Sequence, residues 1–152
     1  MRSVWNVLTT MIVIGAMLSM AGCTQFLGDA GNTVKSTNAA DYYHKLNLSQ
    51  ESLTRLSASY NAKSGVMMNQ SDFRDWLTID RNLTLDFLAH GNESIEAGQA
   101  YLKYLQPGSD EYSQIISDEN NTTSNIHSAK GRYNNAVDSY NHWWGTGEFE
   151  DL

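Results

Sequence analysis

The spacing of apolar residues predicts three long helices. In each predicted helix, apolar side chains recur every three or four residues and so form a stripe on one face. The first stripe contains Tyr42, Tyr43, Leu46, Leu53, Leu56 and Tyr60. The second contains Phe73, Trp76, Leu77, Leu83, Phe87, Leu88, Ile95, Leu102 and Leu105, and the third Tyr112, Ile115, Ile116, Ile126, Tyr133, Val137, Tyr140 and Trp144. No alternating apolar stretch is flanked by Asn-Gly or Asp-Gly turns, so no sheet is expected.

Residues that cap or break helices lie at the ends of these stripes. Polar side chains suited to capping a helix precede them at Asn38, Asn69 and Ser109. Helix-ending residues follow them at Gly65, Pro107 and Gly145. The intervening loops are short, which makes neighbouring helices antiparallel. The predicted fold is therefore all-α, an antiparallel up-down-up three-helix bundle over residues 38–145, followed by a loose acidic tail over residues 146–152.

The middle of the bundle is less suited to helix formation. The second helix contains His90-Gly91-Asn92, and the third contains the polar stretch 118–123. A turn at Pro107-Gly108 places Gly91 opposite about residue 124, and a glycine costs about 1 kcal/mol in a helix interior. Two alternatives follow: both helices kink there, or the second helix breaks and the bundle has four helices. Leu83, Phe87 and Ile126 are expected to meet in the core.

The N-terminal residues have the three parts of a secretory signal peptide. Arg2 supplies the positive charge, Met11–Leu18 the apolar stretch, and mostly small residues follow at Ser19–Gly22. The strictly apolar run is much shorter than the roughly 20 residues that span a bilayer. We therefore expect residues 1–22 to be a signal peptide; a permanent helical anchor is the alternative.

The segment Leu18-Ser19-Met20-Ala21-Gly22-Cys23 resembles the lipobox of prokaryotic membrane lipoproteins. The resemblance covers only residues 1–23, and Met20 stands where leucine is usual. It implies that Cys23 receives a diacylglycerol and becomes the first residue of the mature protein. Two acyl chains anchor a protein stably. The expected product is an extracytoplasmic domain tethered to the membrane by lipid on Cys23, through a flexible stalk over residues 23–37. An ordinary secreted protein is the alternative.

The net charge and the missing motifs argue against several classes of function for this chain. The chain has a formal net charge of −7 at pH 7, and loss of Arg2 with the signal makes the mature part more acidic. Such a charge disfavours nucleic acid as a partner. The chain lacks the motifs of haem attachment, serine hydrolases, zinc proteases and phosphate-binding loops. We therefore expect neither a cofactor nor an enzyme activity.

Three histidines offer a weak alternative of metal binding. The expected pairing of the helices places His44, His90 and His127 in one layer, an arrangement that zinc or copper can use. Each of them, however, lies beside an apolar stripe and not on it. Surface histidines are the favoured interpretation, and no metal site is predicted.

Six Asn-x-Ser/Thr sequons form a modest excess over what the composition predicts. They begin at Asn47, Asn69, Asn82, Asn92, Asn120 and Asn121. Sequons are glycosylated only outside the cytoplasm, so these asparagines are candidate glycosylation sites. The alternative is a surface that is simply rich in Asn, Ser and Thr.

The pair Trp143-Trp144 is the candidate contact with a partner. Adjacent helical residues cannot both face the core, so one indole is expected to be exposed at the membrane-distal end of the bundle. Alternatively, both indoles cap the core against Val66, Met67 and Met68. The predicted function is a lipid-anchored module that binds or spaces a protein partner at the cell surface. An envelope ligand-binding or sensor accessory protein with a mid-bundle pocket is the second hypothesis.

Overall fold

The structure, a computed structural model, describes residues 30–152. These residues form three helices and no strand: α1 over Ala30–Lys63, α2 over Gln70–Leu102 and α3 over Asp110–Trp144. Each helix is about 50 Å long at 1.5 Å per residue. α1 packs against α2, and α2 packs against α3. The all-α three-helix bundle that the sequence predicts is confirmed, and the four-helix alternative is wrong for this part of the chain.

The capping residues at the start of α2 and α3 act as the sequence predicts. Asn69 Oδ1 accepts a hydrogen bond from the Asp72 backbone N–H at 2.9 Å, and Ser109 Oγ accepts one from Tyr112 at 3.2 Å. At the far end of α3, Gly145 has a φ of 61°, a left-handed conformation that glycine adopts without strain. These residues therefore fix both ends of α3 and the start of α2.

The start of α1 differs from the prediction. The helix already begins at Ala30, within the segment 23–37 that was expected to be a flexible stalk. Asn38 does not cap it, because its Nδ2 donates to the carbonyl of Val34 at 2.8 Å. Thr37 Oγ1 likewise donates to the carbonyl of Thr33 at 2.9 Å. Such bonds to the preceding turn form within a running helix, so these polar residues are compatible with its continuation.

α2 ends at Leu102, earlier than the predicted stop at Pro107. The Tyr104 N–H donates to Tyr101 O at 2.9 Å, and the Leu105 N–H donates to Leu102 O at 3.1 Å. These bonds span three residues and so belong to a tighter turn than that of an α-helix. Leu105 is nevertheless buried in the core.

The core is divided into three clusters along the bundle. The cluster at the end of α3 contains Phe73, Trp76, Leu77, Tyr133, Val137 and Tyr140. The central cluster contains Leu56, Phe87 and Ala129, with Leu53, Leu83 and Ile126 packed against it. The cluster near the α2–α3 loop contains Tyr42, Ala97, Tyr101, Leu105 and Ile115. The predicted meeting of Leu83, Phe87 and Ile126 in the core is confirmed.

Gly91 is a position of close packing between α2 and α3. A methyl group at Gly91 would lie 2.9 Å from Ile126 Cδ1 and 3.4 Å from Thr122 Cγ2. The predicted register, with Gly91 opposite about residue 124, falls between these two residues. α2 runs unbroken through Gly91, and the side chains of Ile126 and Thr122 lie directly beside it.

α1 and α3 meet only through their side chains. Their Cα atoms stay more than 8 Å apart. Near the α2–α3 loop, Tyr42 donates a hydrogen bond to Asp118 Oδ2 at 2.9 Å, and Tyr43 donates to Glu111 at 3.4 Å. Burial, together with the nearby Asp118 carboxylate, raises the pKa of Tyr42 above its usual range. The hydroxyl therefore keeps its proton and bridges the two helices at this end of the bundle.

The tail after α3 is docked, and the expectation of a loose tail is wrong. Asn141 Nδ2 donates to the carbonyl of Phe149 at 3.0 Å, and the backbone N–H of Leu152 donates to Asn134 Oδ1 at 3.0 Å. The Phe149 ring packs edge-on against Tyr140, with 5.3 Å between the ring centroids. Hydrogen bonds and the apolar side chains of Phe149 and Leu152 thus hold the acidic segment against α3.

Candidate functional site

The two tryptophans at the end of α3 have different environments. Trp143 is 66% exposed, whereas Trp144 is half-buried. The ring of Trp144 lies 5.0 Å from that of Tyr140 and 5.7 Å from that of Phe73, measured between centroids. Trp144 therefore caps the core, and Trp143 presents most of its indole to solvent. The structure thus agrees with the expectation that one of the two is exposed.

The exposed indole of Trp143 is restrained by contacts with neighbouring aromatic rings. Its ring lies 6.0 Å from that of Phe73 and 5.8 Å from that of Trp144. Aromatic pairs at such distances contribute about 0.5–1.5 kcal/mol beyond the area they bury. The core aromatics therefore hold the exposed indole in one orientation, which lowers the entropy that a partner would have to remove on binding.

A groove with a volume of about 1050 Å³ lies beside Trp143. The end of α1, the α1–α2 loop, the start of α2 and the last four turns of α3 form its walls. The residues that line it are Tyr60, Lys63, Ser64, Gly65, Val66, Met67, Met68, Phe73, Trp76, Ser128, Gly131, Arg132, Asn135, Ala136, Ser139, Trp143 and Trp144. The groove is at the tryptophan end of the bundle and not at the middle, where the second hypothesis expects a pocket.

Large apolar side chains stand at the edge of this groove. Met67 is fully exposed, and Val66 is 53% exposed. Both belong to the α1–α2 loop, in which Gly65 adopts a left-handed φ of 78°. Together with Trp143 they form an apolar rim that solvent covers in the isolated chain. Exposed apolar groups gathered around a groove are typical of protein–protein contact sites.

The charges on the groove wall are positive. Lys63 lies in the last turn of α1, and the guanidinium of Arg132 stands 4.5 Å from the centre of the Tyr60 ring. No aspartate or glutamate is among the lining residues. Within residues 30–152, no carboxylate oxygen lies within 4.0 Å of either cation, although the buried Asp80 is near enough to interact electrostatically with Arg132. The groove is thus a cationic and aromatic surface on an acidic protein.

A buried carboxyl group lies behind the groove. Asp80 is 1% exposed, and neither of its oxygens has a hydrogen-bond partner among the described residues. Trp76 Nε1, Thr84 Oγ1 and two guanidinium nitrogens of Arg132 are also buried without a partner there. Burial raises the pKa of Asp80, and the positive charge of Arg132 partly opposes that rise. The chain therefore carries an unusual polar group inside its most aromatic cluster.

The position of Asp80 in the sequence already marks it as unusual. Asp80 follows Trp76 by four residues and Leu77 by three, so the helical period places it on the apolar face. Charged residues on that face are almost never fully buried unless they are paired. The position alone was therefore sufficient to single it out.

The three histidines do not form a metal site. His44 and His127 are exposed, and His90 is half-buried. His90 lies 3.5 Å from Asp86 and 3.5 Å from Glu93, one turn away on either side in its own helix. Residues 30–152 contain no group of three or more side chains that could together hold a metal ion.

All six sequon asparagines are exposed: Asn47, Asn69, Asn82, Asn92, Asn120 and Asn121. Two of them have side-chain partners in the folded chain. Asn69 caps α2, as described above, and Asn47 Nδ2 donates to Glu51 at 2.9 Å. Exposure makes the sites accessible to a transferase; their glycosylation stays a prediction.

Cys23, the predicted lipid site, lies outside the described residues. Among the helices of residues 30–152, none has an apolar stretch long enough to cross a bilayer. Comparison with models of protein families, with curated proteins and with solved structures finds no match to this chain.

Proposed function

We propose that this chain is a lipid-anchored extracytoplasmic module that binds a protein partner through the rim and groove at the tryptophan end. The observation that carries the proposal is the group formed by Trp143, Met67 and Val66, which leaves a large apolar area exposed beside an open groove. Aromatic residues and methionine are enriched at protein interfaces, and tryptophan is frequent among the residues that contribute most to affinity.

The direction of the helices supports a membrane-distal position for this surface. α1 begins at Ala30, which is close in sequence to the predicted lipid site Cys23, and it ends at Lys63 beside the groove. A helix of this length carries its end about 50 Å from its start. If α1 stands upright on the membrane, the groove faces away from the lipid, where a partner has access to it.

The openness of the site favours a protein over a small molecule. Pockets for small ligands usually enclose 70–90% of the ligand surface in a volume of roughly 300–1000 Å³. This groove is at the upper limit of that range, and its rim residues project into solvent. An envelope ligand-binding protein therefore remains the second candidate, supported by the volume alone.

A photo-crosslinking experiment on the full chain in its own cells tests the proposal. Benzoylphenylalanine is placed at Met67, which is fully exposed, and in a control chain at Tyr104, which is 44% exposed at the other end of the bundle. We expect a discrete protein adduct from position 67 and none of the same mass from position 104. Equal adducts at both positions, or none at position 67, would contradict the proposal.

A second arm separates binding from stability. Trp143→Ala should remove the adduct at position 67 and lower the free energy of unfolding by only about 1 kcal/mol, through the loss of its ring contacts with Phe73 and Trp144. Trp144→Ala removes an indole that packs on Phe73 and Tyr140. It should cost about 2 kcal/mol or more. If Trp143→Ala keeps the adduct, the exposed indole is not part of the contact.

A further inference from the structure

The charge of the groove is opposite to that of the chain as a whole. The chain has a net charge of −7, yet the only charged residues among those lining the groove are Lys63 and Arg132. Lys63 is exposed, and no carboxylate within the described residues pairs with it. A binding surface whose potential differs from its surroundings selects partners of the complementary charge. The complementary group here is a carboxylate.

The shape of the groove fits an elongated occupant. Its α3 wall runs from Ser128 to Trp143, which is about 22 Å or four helical turns. Small side chains occupy much of this wall, at Ser128, Gly131, Ala136 and Ser139. Small residues allow a second backbone to approach closely, and packed helices lie about 8–10 Å apart. The opposite wall is formed by the last turns of α1, whose backbone stays more than 8 Å from that of α3.

We infer that the groove binds an acidic amphipathic helix of the partner, about four turns long. Its apolar face packs on Val66, Met67 and Trp143, and its carboxylates lie against Lys63 and Arg132. This inference rests on the proposed function and adds the chemistry of the partner segment. A docked helix of this kind would also cover the apolar rim and lie over the groove between α1 and α3.

Binding of designed peptides to the full chain tests the inference. The chain is reconstituted in phosphatidylcholine nanodiscs, and empty nanodiscs serve as the blank. Three labelled 16-residue amphipathic peptides share one apolar face and carry glutamate, glutamine or lysine on the polar face. Fluorescence anisotropy should show that the glutamate peptide binds at least tenfold more tightly than the other two. The preference should diminish as salt is added, because salt screens exposed charges.

Two matched charge reversals test whether the preference for the glutamate peptide arises in the groove. Lys63→Glu in the groove should weaken binding of the glutamate peptide at least tenfold, whereas Lys103→Glu at the other end of the bundle should leave it unchanged. Both lysines are exposed, so neither change should unfold the chain, and circular dichroism checks this. Arg132→Gln should also weaken binding. If that variant is unfolded, Lys63→Glu decides alone.

The outcomes distinguish the inference from the proposed function. Equal binding of all three peptides, unaffected by Lys63→Glu but abolished by Trp143→Ala, would overturn the acidic partner and leave the partner site in place. No binding of any peptide, together with no crosslinked protein at position 67, would overturn both. Binding of decanoate with no binding of peptide would overturn the helix and identify a site for small amphiphilic acids.

Discussion

Replacement of Gly98 by alanine is expected to disturb the contact between α2 and α3. A methyl group at this position would lie 2.8 Å from Glu119 Oε1, 3.3 Å from Ile115 Cγ2 and 3.3 Å from Tyr42 Cε2. Carbon atoms attract best at about 3.5–4.0 Å, so these contacts are too short. Tyr42 and Ile115 are each 1% exposed, and the surrounding core prevents them from moving aside. The close approach of three helices thus depends on the missing side chain.

Two opposing effects determine how much Gly98→Ala changes the free energy of unfolding. Alanine in a helix interior is about 1 kcal/mol more favourable than glycine. Overpacking a close-packed core usually costs about 1–3 kcal/mol. Gly98→Ala should therefore lower the free energy of unfolding by roughly 0–2 kcal/mol. Gly131→Ala is the matched control, because nothing lies within 4 Å of a methyl group there. Gly131→Ala should raise the free energy of unfolding by about 1 kcal/mol.

Gly91→Ala should fall between these two variants. The nearest atom to its added methyl is Ile126 Cδ1 at 2.9 Å, the end of a half-buried side chain that can rotate. Urea titration of the full chain in mild detergent, followed by circular dichroism, measures all three stabilities. The expected order of stability is Gly131→Ala, Gly91→Ala and Gly98→Ala. If Gly98→Ala is as stable as Gly131→Ala, the helices do not approach each other closely at this point.

Three further predictions concern charge, the tail and the anchor. Burial raises the pKa of Asp80, so the folded chain retains a proton that the unfolded chain releases. The free energy of unfolding should therefore fall as pH rises above about 4, by at most about 1.4 kcal/mol per pH unit. In thermal melts, Asp80→Asn should flatten the dependence of stability on pH, whereas Glu96→Gln, a change at an exposed position, should not. If the original chain and Asp80→Asn lose stability in parallel as pH rises, Asp80 is not the cause. Deletion of residues 147–152, which removes the Phe149–Tyr140 contact, should cost about 1–3 kcal/mol in urea titration, and an unchanged midpoint would mean that the tail does not contribute. Cys23→Ser should release the chain from membranes or leave an uncleaved precursor in cell fractionation, whereas a free Cys23 thiol on the membrane-bound protein, seen by mass spectrometry, would refute lipidation.

The fold was largely predictable because local signals agree with each other. The apolar stripes, the caps at Asn69 and Ser109 and the glycine at position 145 each act within one helical turn, so the sequence around them suffices. The predicted start of α1 is wrong for a related reason. Asn38 has the chemistry of a cap, but the same amide can also donate to the carbonyl of Val34 inside a helix. Only the backbone on its N-terminal side distinguishes these two roles.

The candidate site was predictable only in part. The rule that adjacent helical residues face different ways predicted one exposed tryptophan, but not which of the two. Phe73 and Tyr140 decide this, since their rings pack around Trp144. The sequence does not predict the groove at the tryptophan end, and the pocket of the second hypothesis is expected at the middle of the bundle, near Gly91. In the structure, Ile126 and Thr122 occupy the space beside it.

The sequence by itself determined that this chain forms three long helices, where two of them begin, and most of the apolar residues that face the core, because these properties follow from local hydrogen bonding and from the helical period. Only the tertiary structure decided where α1 and α3 separate to leave a groove, which cations line it, how Asp80 comes to be buried beside Arg132, and that the tail docks on Tyr140. Each of these depends on side chains that are far apart in sequence. Their distances are set by how whole helices pack, and a pattern read along one helix does not contain that information.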